Sequence, residues 1–276
     1  MTAKPDAQFE QVVQWYPGHM AAAMRRIDEH LKLIDVVVEV VDARVPQIGA
    51  NPMLDVLAAR RARLLVLTRD DLADPLQTAC WLKFFAKNGR TAVAVDGRSQ
   101  AGLATASYLL AQLAGETRGT HRAMVVGVPN SGKSSVINGL LRRSAAKTED
   151  RAGVTRALQW FRLSRSLELM DTPGILVPKI SSPDAQWKLA LVGAVPRERY
   201  DPEDVAARFY RWLSESTHGR TRVPDLETFA RSRGFMRRGG EPDMHNAAQS
   251  YIREFNEGKF GRITLERAPS HDAQTA

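Results

Sequence analysis

The chain has 276 residues, 43% of them hydrophobic, which is enough to bury a full core and predicts one standard domain plus a smaller one. Lys and Arg total 39 against 31 Asp and Glu, and the net charge of +8 favours a polyanionic partner, although a solvated basic surface would give the same count. The single cysteine, Cys80, excludes a disulfide framework and a Cys-rich metal site and fits a reducing compartment, and its neighbours Trp81 and Leu82 predict a buried thiol.

The N-terminal segment, residues 1–34, contains one predicted helix. Apolar residues recur at helical spacing from Ala21 to Leu33, after the Pro17-Gly18 break, and predict an amphipathic helix that packs against the core. Asp6 and Glu10 make the N-terminus unlike an Arg-rich transit peptide or an apolar secretory signal. We therefore expect a cytoplasmic protein.

The region 35–180 alternates apolar, β-rich runs with helical stretches, which is typical of a parallel sheet covered on both faces. The strand candidates are Val36–Val41, Leu64–Leu67, Ala92–Val95, Met124–Val126 and Leu167–Met170, with Trp160–Leu163 as an antiparallel neighbour of the last. The helix candidates are Pro52–Ala59, Pro75–Lys87, Leu103–Leu113 and Ser134–Leu141. No apolar run approaches the roughly 18 residues that span a bilayer, so we expect no membrane contact.

The region after Pro183 is helical in pattern. Its helix candidates are Asp184–Val192, Pro202–Ser214, Pro224–Arg233 and Asp243–Phe255, and one further short strand is predicted at Arg262–Leu265. The sequence therefore predicts a helical domain at 181–268, followed by a disordered tail at 269–276.

The strongest motif is the run from Gly127 to Ser134, a full match to the phosphate-binding loop pattern between a predicted strand and a predicted helix. Its glycines let backbone N–H groups face the phosphates, and the helix N-terminus adds a favourable dipole. Lys133 is expected to reach the terminal phosphates and Ser134 to offer its hydroxyl to Mg²⁺. The candidate nucleotide contacts in this loop are Pro129, Asn130, Ser131, Gly132, Lys133, Ser134 and Ser135.

A second motif, Asp171-Thr172-Pro173-Gly174, ends an apolar strand. Its aspartate can hold the metal directly or through water, and the Gly174 amide can meet a γ-phosphate. Between the two motifs, the polar stretch ending at Thr155 stands where a switch loop would offer a hydroxyl to Mg²⁺. Alone, each segment would also fit an ordinary turn or surface loop.

An unusual feature is that a helix and three strand–helix units precede the phosphate loop, where a nucleotide-hydrolase sheet normally begins. Further motifs accompany this order: Trp15–Met20, Val41–Pro46, Asn51–Met53, the phosphate loop, Asp171–Ile175 and Lys259–Arg262. In these motifs and their order the chain resembles the circularly permuted GTPases of the ribosome biogenesis GTPase A family, also called the YlqF type. The resemblance implies an α/β, circularly permuted P-loop GTPase domain, followed by a small C-terminal helical domain that the switch enters directly.

The guanine-recognition boxes depart from the pattern of that family. Its Asn-Lys-x-Asp box reads Thr68-Arg69-Asp70-Asp71 here. The Asp71 carboxylate can still accept both guanine N–H groups, but Thr68 cannot reproduce the paired contacts of an asparagine amide. The second box is also altered, and Asp96 within it fits a turn residue as well as a base contact.

Two further roles follow only from the resemblance. Ile175 occupies the position where many GTPases keep a water-positioning glutamine, and the family resemblance assigns that work to the histidine at His19. Without the motif, His19 would be read as a packed or surface residue. Asn130 resembles the asparagine of potassium-stimulated GTPases, so a K⁺ site is expected there, although its side chain could instead bond its own backbone.

The predicted helical domain is rich in arginine. The arginines are Arg220, Arg222, Arg231, Arg233, Arg237 and Arg238, interleaved with Phe229 and Phe235. Arginines can follow RNA phosphates, while the two phenylalanines could stack on unpaired bases or pack a helix core. The resemblance implies that the partner is the large ribosomal subunit precursor and its rRNA.

The hypothesis is therefore a monomeric GTP-binding, GTP-hydrolysing assembly factor that uses Mg²⁺ and a K⁺ ion. We expect slow hydrolysis in the free protein and faster hydrolysis on a pre-ribosomal particle. Two alternatives stay open at this point: a nucleotide-binding, RNA-associated module without hydrolysis, and an ATP-using P-loop enzyme.

Overall fold

The computed structural model describes residues 30–96, 100–115, 119–143, 159–172, 180, 182–219 and 221–269. The chain forms two compact units. The first, here called the sheet unit, contains the described residues up to Thr172 together with residues 264–269. The second, the helical unit, contains the described residues from 180 to 263. The boundaries drawn from the sequence stay predictions, but residues 264–268 make their contacts within the sheet unit.

The sheet unit is built on six strands: β1 Val36–Asp42, β2 Ala62–Thr68, β3 Thr91–Val95, β4 His121–Val126, β5 Gln159–Arg162 and β6 Leu167–Asp171. Their order is β3-β2-β1-β4-β6-β5, with β5 antiparallel to β6 as predicted and the other neighbours parallel. The direction of progression reverses between β1 and β4. In such sheets ligands bind at this switch point, outside the carboxyl ends of the strands.

Helices cover both faces of the sheet: α1 Met53–Leu57, α2 Pro75–Lys87, α3 Gln100–Ala114 and α4 Lys133–Arg143. All seven residues of β1 are buried, which is why its apolar run is nearly continuous. On one face Val38 shares an apolar cluster with Leu103 of α3, and on the other Val41 shares one with Trp81 of α2. The expected α/β architecture is confirmed.

The helical unit contains α5 Pro183–Leu191, α6 Pro202–Ser216, α7 Leu226–Ser232 and α8 Met244–Asn256. Each begins at a side-chain cap, and the caps are Ser182, Asp201, Asp225 and Asp243. Aromatic rings form the core: Phe229 lies 5.0 Å from Tyr251 between ring centroids, and Tyr251 lies 4.7 Å from Phe260. Phe229 is only 1% exposed, so its interpretation as a base-stacking residue is wrong.

Two other expectations are wrong. Cys80 is exposed, because α2 turns Thr78, Trp81 and Phe85 inward and leaves Cys80 on the opposite side. The run Arg262–Leu265 forms no strand; it is irregular and its residues find their partners in loops and helix ends. Of the predicted helix Ala21–Leu33, only the last residues are described, and residues 30 and 31 are helical. Within the described ranges, no helix is long and apolar enough to cross a bilayer.

Candidate nucleotide-binding site

The phosphate loop joins β4 to α4 at the switch point of the sheet. A Cβ at Gly127 would lie 2.3 Å from the Val40 carbonyl oxygen, so only glycine allows the loop to pass this close to β1. Gly132 has a φ of +93° and Asn130 a φ of 58°, the left-handed region that turns the loop back on itself. Pro129 is half-buried, Ser131 is buried, and Ser135 is exposed on the first turn of α4.

Lys133 is the first residue of α4, and its side chain is held by the loop itself. Its Nζ donates hydrogen bonds to the carbonyl oxygens of Gly127, at 3.1 Å, and Val128, at 3.0 Å. Burial lowers the pKa of Lys133 to about 8, and the nearby charge of Asp171 opposes that shift. The buried ammonium is therefore poorly compensated, and a polyphosphate would supply the missing negative charge.

Asp171 and Thr172 lie at the end of β6, beside the loop. Asp171 pairs in register with Val125 of β4 and is 4% exposed. The Thr172 hydroxyl donates to the Val125 carbonyl oxygen at 2.7 Å and fixes the start of the Asp-Thr-Pro-Gly motif to β4. The Asp171 carboxylate and the exposed Ser134 hydroxyl are hard oxygen ligands of the kind that Mg²⁺ prefers.

In the described part of the chain, no group of three or more His, Cys, Asp or Glu residues could hold a metal ion by itself. A Mg²⁺ ion at this site would therefore depend on phosphate and water oxygens as well as on Asp171 and Ser134. This is the usual way in which proteins hold Mg²⁺ on a nucleotide.

Thr68, the residue that replaces the expected asparagine, joins residues 69–74, here called the base-recognition segment, to the phosphate loop. It is 5% exposed, and its Oγ1 donates to the Ser131 carbonyl oxygen at 2.6 Å and lies 3.2 Å from the Val41 carbonyl oxygen. Gly132 packs against the same side chain, since a Cβ there would lie 3.3 Å from Thr68. Thr68 thus links the two segments through its hydroxyl, although it lacks an amide that could contact the base.

A chain of charged groups, buried at Asp42 and Arg44 and partly exposed at Arg69, continues this connection. Asp42 accepts hydrogen bonds from the Arg44 guanidinium at 2.9 and 2.7 Å, and Arg69 lies 3.3 Å from the same carboxylate. The Arg69 guanidinium also donates to the Asn130 carbonyl oxygen at 3.1 Å. Burial disfavours the charged Asp42 carboxylate, but Arg44 and Arg69 outweigh burial and hold the pKa of Asp42 below its usual value. Burial, in turn, lowers the pKa of Arg69.

The two acidic candidates for base recognition lie at the same edge of the sheet. Asp71 is half-buried in a short 3-10 turn, Asp70–Leu72, and its negative charge acts on the neighbouring Arg69, whose pKa it raises against the lowering by burial. Asp96 directly follows β3, whose last residue, Val95, pairs with Thr68. Both aspartates therefore come from neighbouring strand ends.

Three predicted site residues, His19, Thr155 and Gly174, lie outside the described residues, as does Ile175. The Asp42–Arg44 pair and Thr172 are not among the site residues predicted from the sequence. A signal for the first was present: an aspartate and an arginine two residues apart at the end of an apolar strand.

Known proteins resemble this chain over nearly its whole length. A protein-family model described as "50S ribosome-binding GTPase" matches residues 122–204. The ribosome biogenesis GTPase A of Bacillus cereus is 36% identical, covering 92% of this chain and 94% of that protein. The protein of the same name from Thermotoga maritima is 35% identical, again covering 92% and 94%.

Solved structures also resemble this chain over most of its length. The GNP-bound YlqF from Thermotoga maritima is 33% identical, with a TM-score of 0.71 over 90% of this chain and 99% of that one. A GDP-bound YlqF structure is 34% identical, with a TM-score of 0.70 over 88% of this chain and 99% of that one.

Proposed function

This chain belongs to the ribosome biogenesis GTPase A family, and we propose that it uses GTP hydrolysis to time a step in assembly of the large ribosomal subunit. It is a GTP-binding and GTP-hydrolysing protein. The observation that carries the proposal is the meeting of Lys133, Asp171 and the Thr68–Asp71 segment at the switch point of one sheet. This arrangement supplies a phosphate site and a base site on adjoining strand ends.

The described residues divide the work of binding. Lys133 exchanges its two loop carbonyls for phosphate oxygens, which neutralises its charge in a buried setting. Ser134 and Asp171 would hold Mg²⁺, which supplies charge neutralisation at the phosphates. Asp71 accepts the guanine N–H groups, and Asp96 borders the base. The backbone around Asn130 and Gly132 wraps the phosphates.

The catalytic roles of three residues rest on the motifs alone. We assign Thr155 to Mg²⁺, the Gly174 amide to the γ-phosphate, and His19 to the orientation of the attacking water. Ile175 has no polar atom in its side chain, so it cannot orient the water itself.

Potassium is assigned to Asn130. Its left-handed backbone is held by the bond from Arg69 to its carbonyl oxygen, and its side chain is exposed beside the loop. We expect faster GTP hydrolysis in potassium than in sodium salts, and loss of that difference in an Asn130→Ala variant. Phosphate-release rates that are equal in the two salts would contradict the assignment.

Two alternatives lose support. An ATP-using enzyme conflicts with the family membership and with the Asp71 carboxylate, which matches guanine and repels the adenine ring nitrogens. A binding module without hydrolysis conflicts with the GTPase character of the family. We further propose a cytoplasmic, monomeric protein.

The proposed ribosomal contact lies on the helical unit. Three of its candidate arginines are held by carboxylates, in the pairs Arg231–Glu227, Arg233–Glu254 and Arg237–Asp243. Arg222 and Arg238 are exposed and form no ion pair among the described residues, and Arg220 lies outside them.

A groove of about 360 Å³ opens beside α8 in the same unit. Its lining includes Arg197, Asn246, Gln249, Arg253 and the half-buried Phe235, together with Asp243, which caps α8 and pairs with Arg237. Guanidinium and amide groups around one aromatic ring suit a phosphate and an unpaired base, so we place an rRNA contact there. Arg197 and Arg253 are not among the arginines predicted from the sequence to contact RNA.

Reversing the charge of Arg197 tests this contact. Arg197→Glu is expected to weaken docking on large ribosomal subunits about tenfold and to lower the slope of log affinity against log salt by about one, because one phosphate contact is lost. Arg165→Glu is the matched control, since Arg165 is exposed on the turn between β5 and β6 of the sheet unit. Equal weakening in both variants, or docking that is insensitive to salt, would refute an RNA-backbone contact in this groove.

The proposed function as a whole is tested by single-turnover phosphate release with and without ribosomal subunits. We expect large subunits to accelerate release, and His19→Ala to reduce the stimulated rate roughly 100-fold while leaving GTP affinity nearly unchanged. Basal release should change much less. Stimulated turnover at the wild-type rate in His19→Ala would remove His19 from the mechanism, and the absence of any stimulation would contradict the ribosomal role.

A further inference from the structure

Residues 264–268, here called the C-terminal strap, follow the helical unit in the chain and pack within the sheet unit. The Leu265 side chain is 1% exposed, and Ala268 packs against the apolar cluster that contains Trp81. Trp81 also donates its indole N–H to the Glu266 carbonyl oxygen at 3.2 Å. The strap is therefore an integral part of the domain that binds the nucleotide.

One contact of the strap fixes the end of the base-recognition segment. The backbone N–H of Asp74 donates to the Thr264 hydroxyl oxygen at 3.0 Å. Asp74 is the N-cap of α2 and lies three residues after Asp71. Between them, Ala73 is fully buried, so the segment has little freedom once Asp74 is held.

Other contacts reach the opposite end of that segment. The Leu265 N–H donates to the Arg44 carbonyl oxygen at 2.8 Å, and Arg44 holds Asp42, which in turn lies against Arg69. Glu266 accepts from the backbone N–H of Gln47 at 2.8 Å and so ties down the loop that follows Arg44.

We propose that the C-terminal strap positions Asp71 for guanine recognition by holding both ends of the segment 69–74. Thr264 and Glu266 act as positioning residues, and guanine specificity depends on them although they do not touch the nucleotide. The proposal rests on the proposed role of Asp71.

The test compares the dissociation constants of GDP and IDP. The hypoxanthine base of IDP lacks the 2-amino group from which the Asp71 carboxylate is proposed to accept a hydrogen bond. In the full-length chain, Thr264→Val keeps the side-chain shape but removes the acceptor for Asp74. We expect it to lower the GDP preference, the ratio of the two dissociation constants, about three- to tenfold. Thr264→Ser should retain the wild-type ratio. Thr105→Val, on the exposed face of α3, is the matched control.

Glu266→Ala is a second, independent variant, and it should lower the ratio in the same direction. Thermal midpoints of all variants separate specificity from stability. If Thr264→Val weakens GDP and IDP equally, or lowers only the midpoint, the strap has a structural role alone and the proposal is overturned.

The Asp71→Asn variant separates failure of the strap proposal from failure of the assignment of Asp71 to guanine recognition. If that variant loses the GDP preference while Thr264→Val and Glu266→Ala keep it, the strap proposal alone fails. If Asp71→Asn keeps the preference, the assignment of Asp71 fails, and the strap's role in specificity fails with it.

Discussion

Replacing Lys133 with alanine is expected to weaken GTP binding by on the order of 100-fold or more. The Lys133 ammonium lies at the start of α4 and donates to two loop carbonyls, so it is already oriented over the phosphate site. Loss of two or three charge-assisted hydrogen bonds costs about 3 to 5 kcal/mol, which accounts for an effect of this size. Titration of a fluorescent GTP analogue measures it.

The same lysine predicts a pH dependence. Its pKa is about 8 in the nucleotide-free protein, and a bound polyphosphate raises that pKa by adding negative charge. GTP affinity should therefore fall as the pH rises above about 8, by up to tenfold per pH unit. In the nucleotide-free protein the lowered pKa means that folding stability rises with pH from about 8 toward the pKa of an exposed lysine.

Lys83→Ala is the matched control, because Lys83 is exposed on α2. It should change neither GTP affinity nor its pH dependence. Lys133→Ala should lose the decrease in affinity above pH 8 together with most of the affinity. Tight GTP binding by Lys133→Ala would show that the loop does not bind phosphate through this lysine.

The layout of the sheet unit could be predicted because its strands are buried on both faces. β1 appears in the sequence as a nearly unbroken apolar run, and the structure buries every residue of it. The phosphate loop was equally accessible, since strand, glycine-rich turn and helix follow one another within a few residues. The sequence is sufficient to predict an element when its local residue pattern matches its burial in the fold.

The two errors have different physical causes. Cys80 was expected to be buried because of its sequence neighbours, but adjacent residues on a helix point about 100° apart, so Trp81 can be buried while Cys80 is exposed. The run Arg262–Leu265, whose last two residues belong to the strap, is not the predicted strand, because its partners lie far away in sequence. Leu265 bonds Arg44, 221 residues earlier, and no local periodicity records such a contact.

The altered base box shows a further limit. From the sequence alone, Thr68 removes the base contacts of an asparagine amide. The structure adds that its hydroxyl bonds the phosphate loop at Ser131, so the residue has a positive role in joining the two segments. Comparison with a family motif shows which contact a substitution removes, whereas the structure also shows which contact the new side chain makes.

Asp71→Asn is expected to change the preferred base. The carboxylate accepts both the ring N–H and the 2-amino group of guanine, whereas an amide offers one acceptor oxygen and one donor nitrogen. Xanthine carries a carbonyl oxygen where guanine carries the amino group, so it can accept from that nitrogen. A site whose polar groups are left unpaired by the wrong base rejects it strongly.

The combined effect should exceed that of any single lost bond, because the substitution weakens one base and strengthens the other. We expect the ratio of GDP to XDP affinities to fall by on the order of 1000-fold, from guanine preference to xanthine preference. Asp55→Asn, an exposed aspartate on α1, is the control and should leave the ratio unchanged. Asp96→Asn separates a base contact from a turn residue, since only a base contact would alter the ratio. A change confined to base preference would identify Asp71 as the residue that recognises guanine, whereas an unchanged ratio would leave that role to another group.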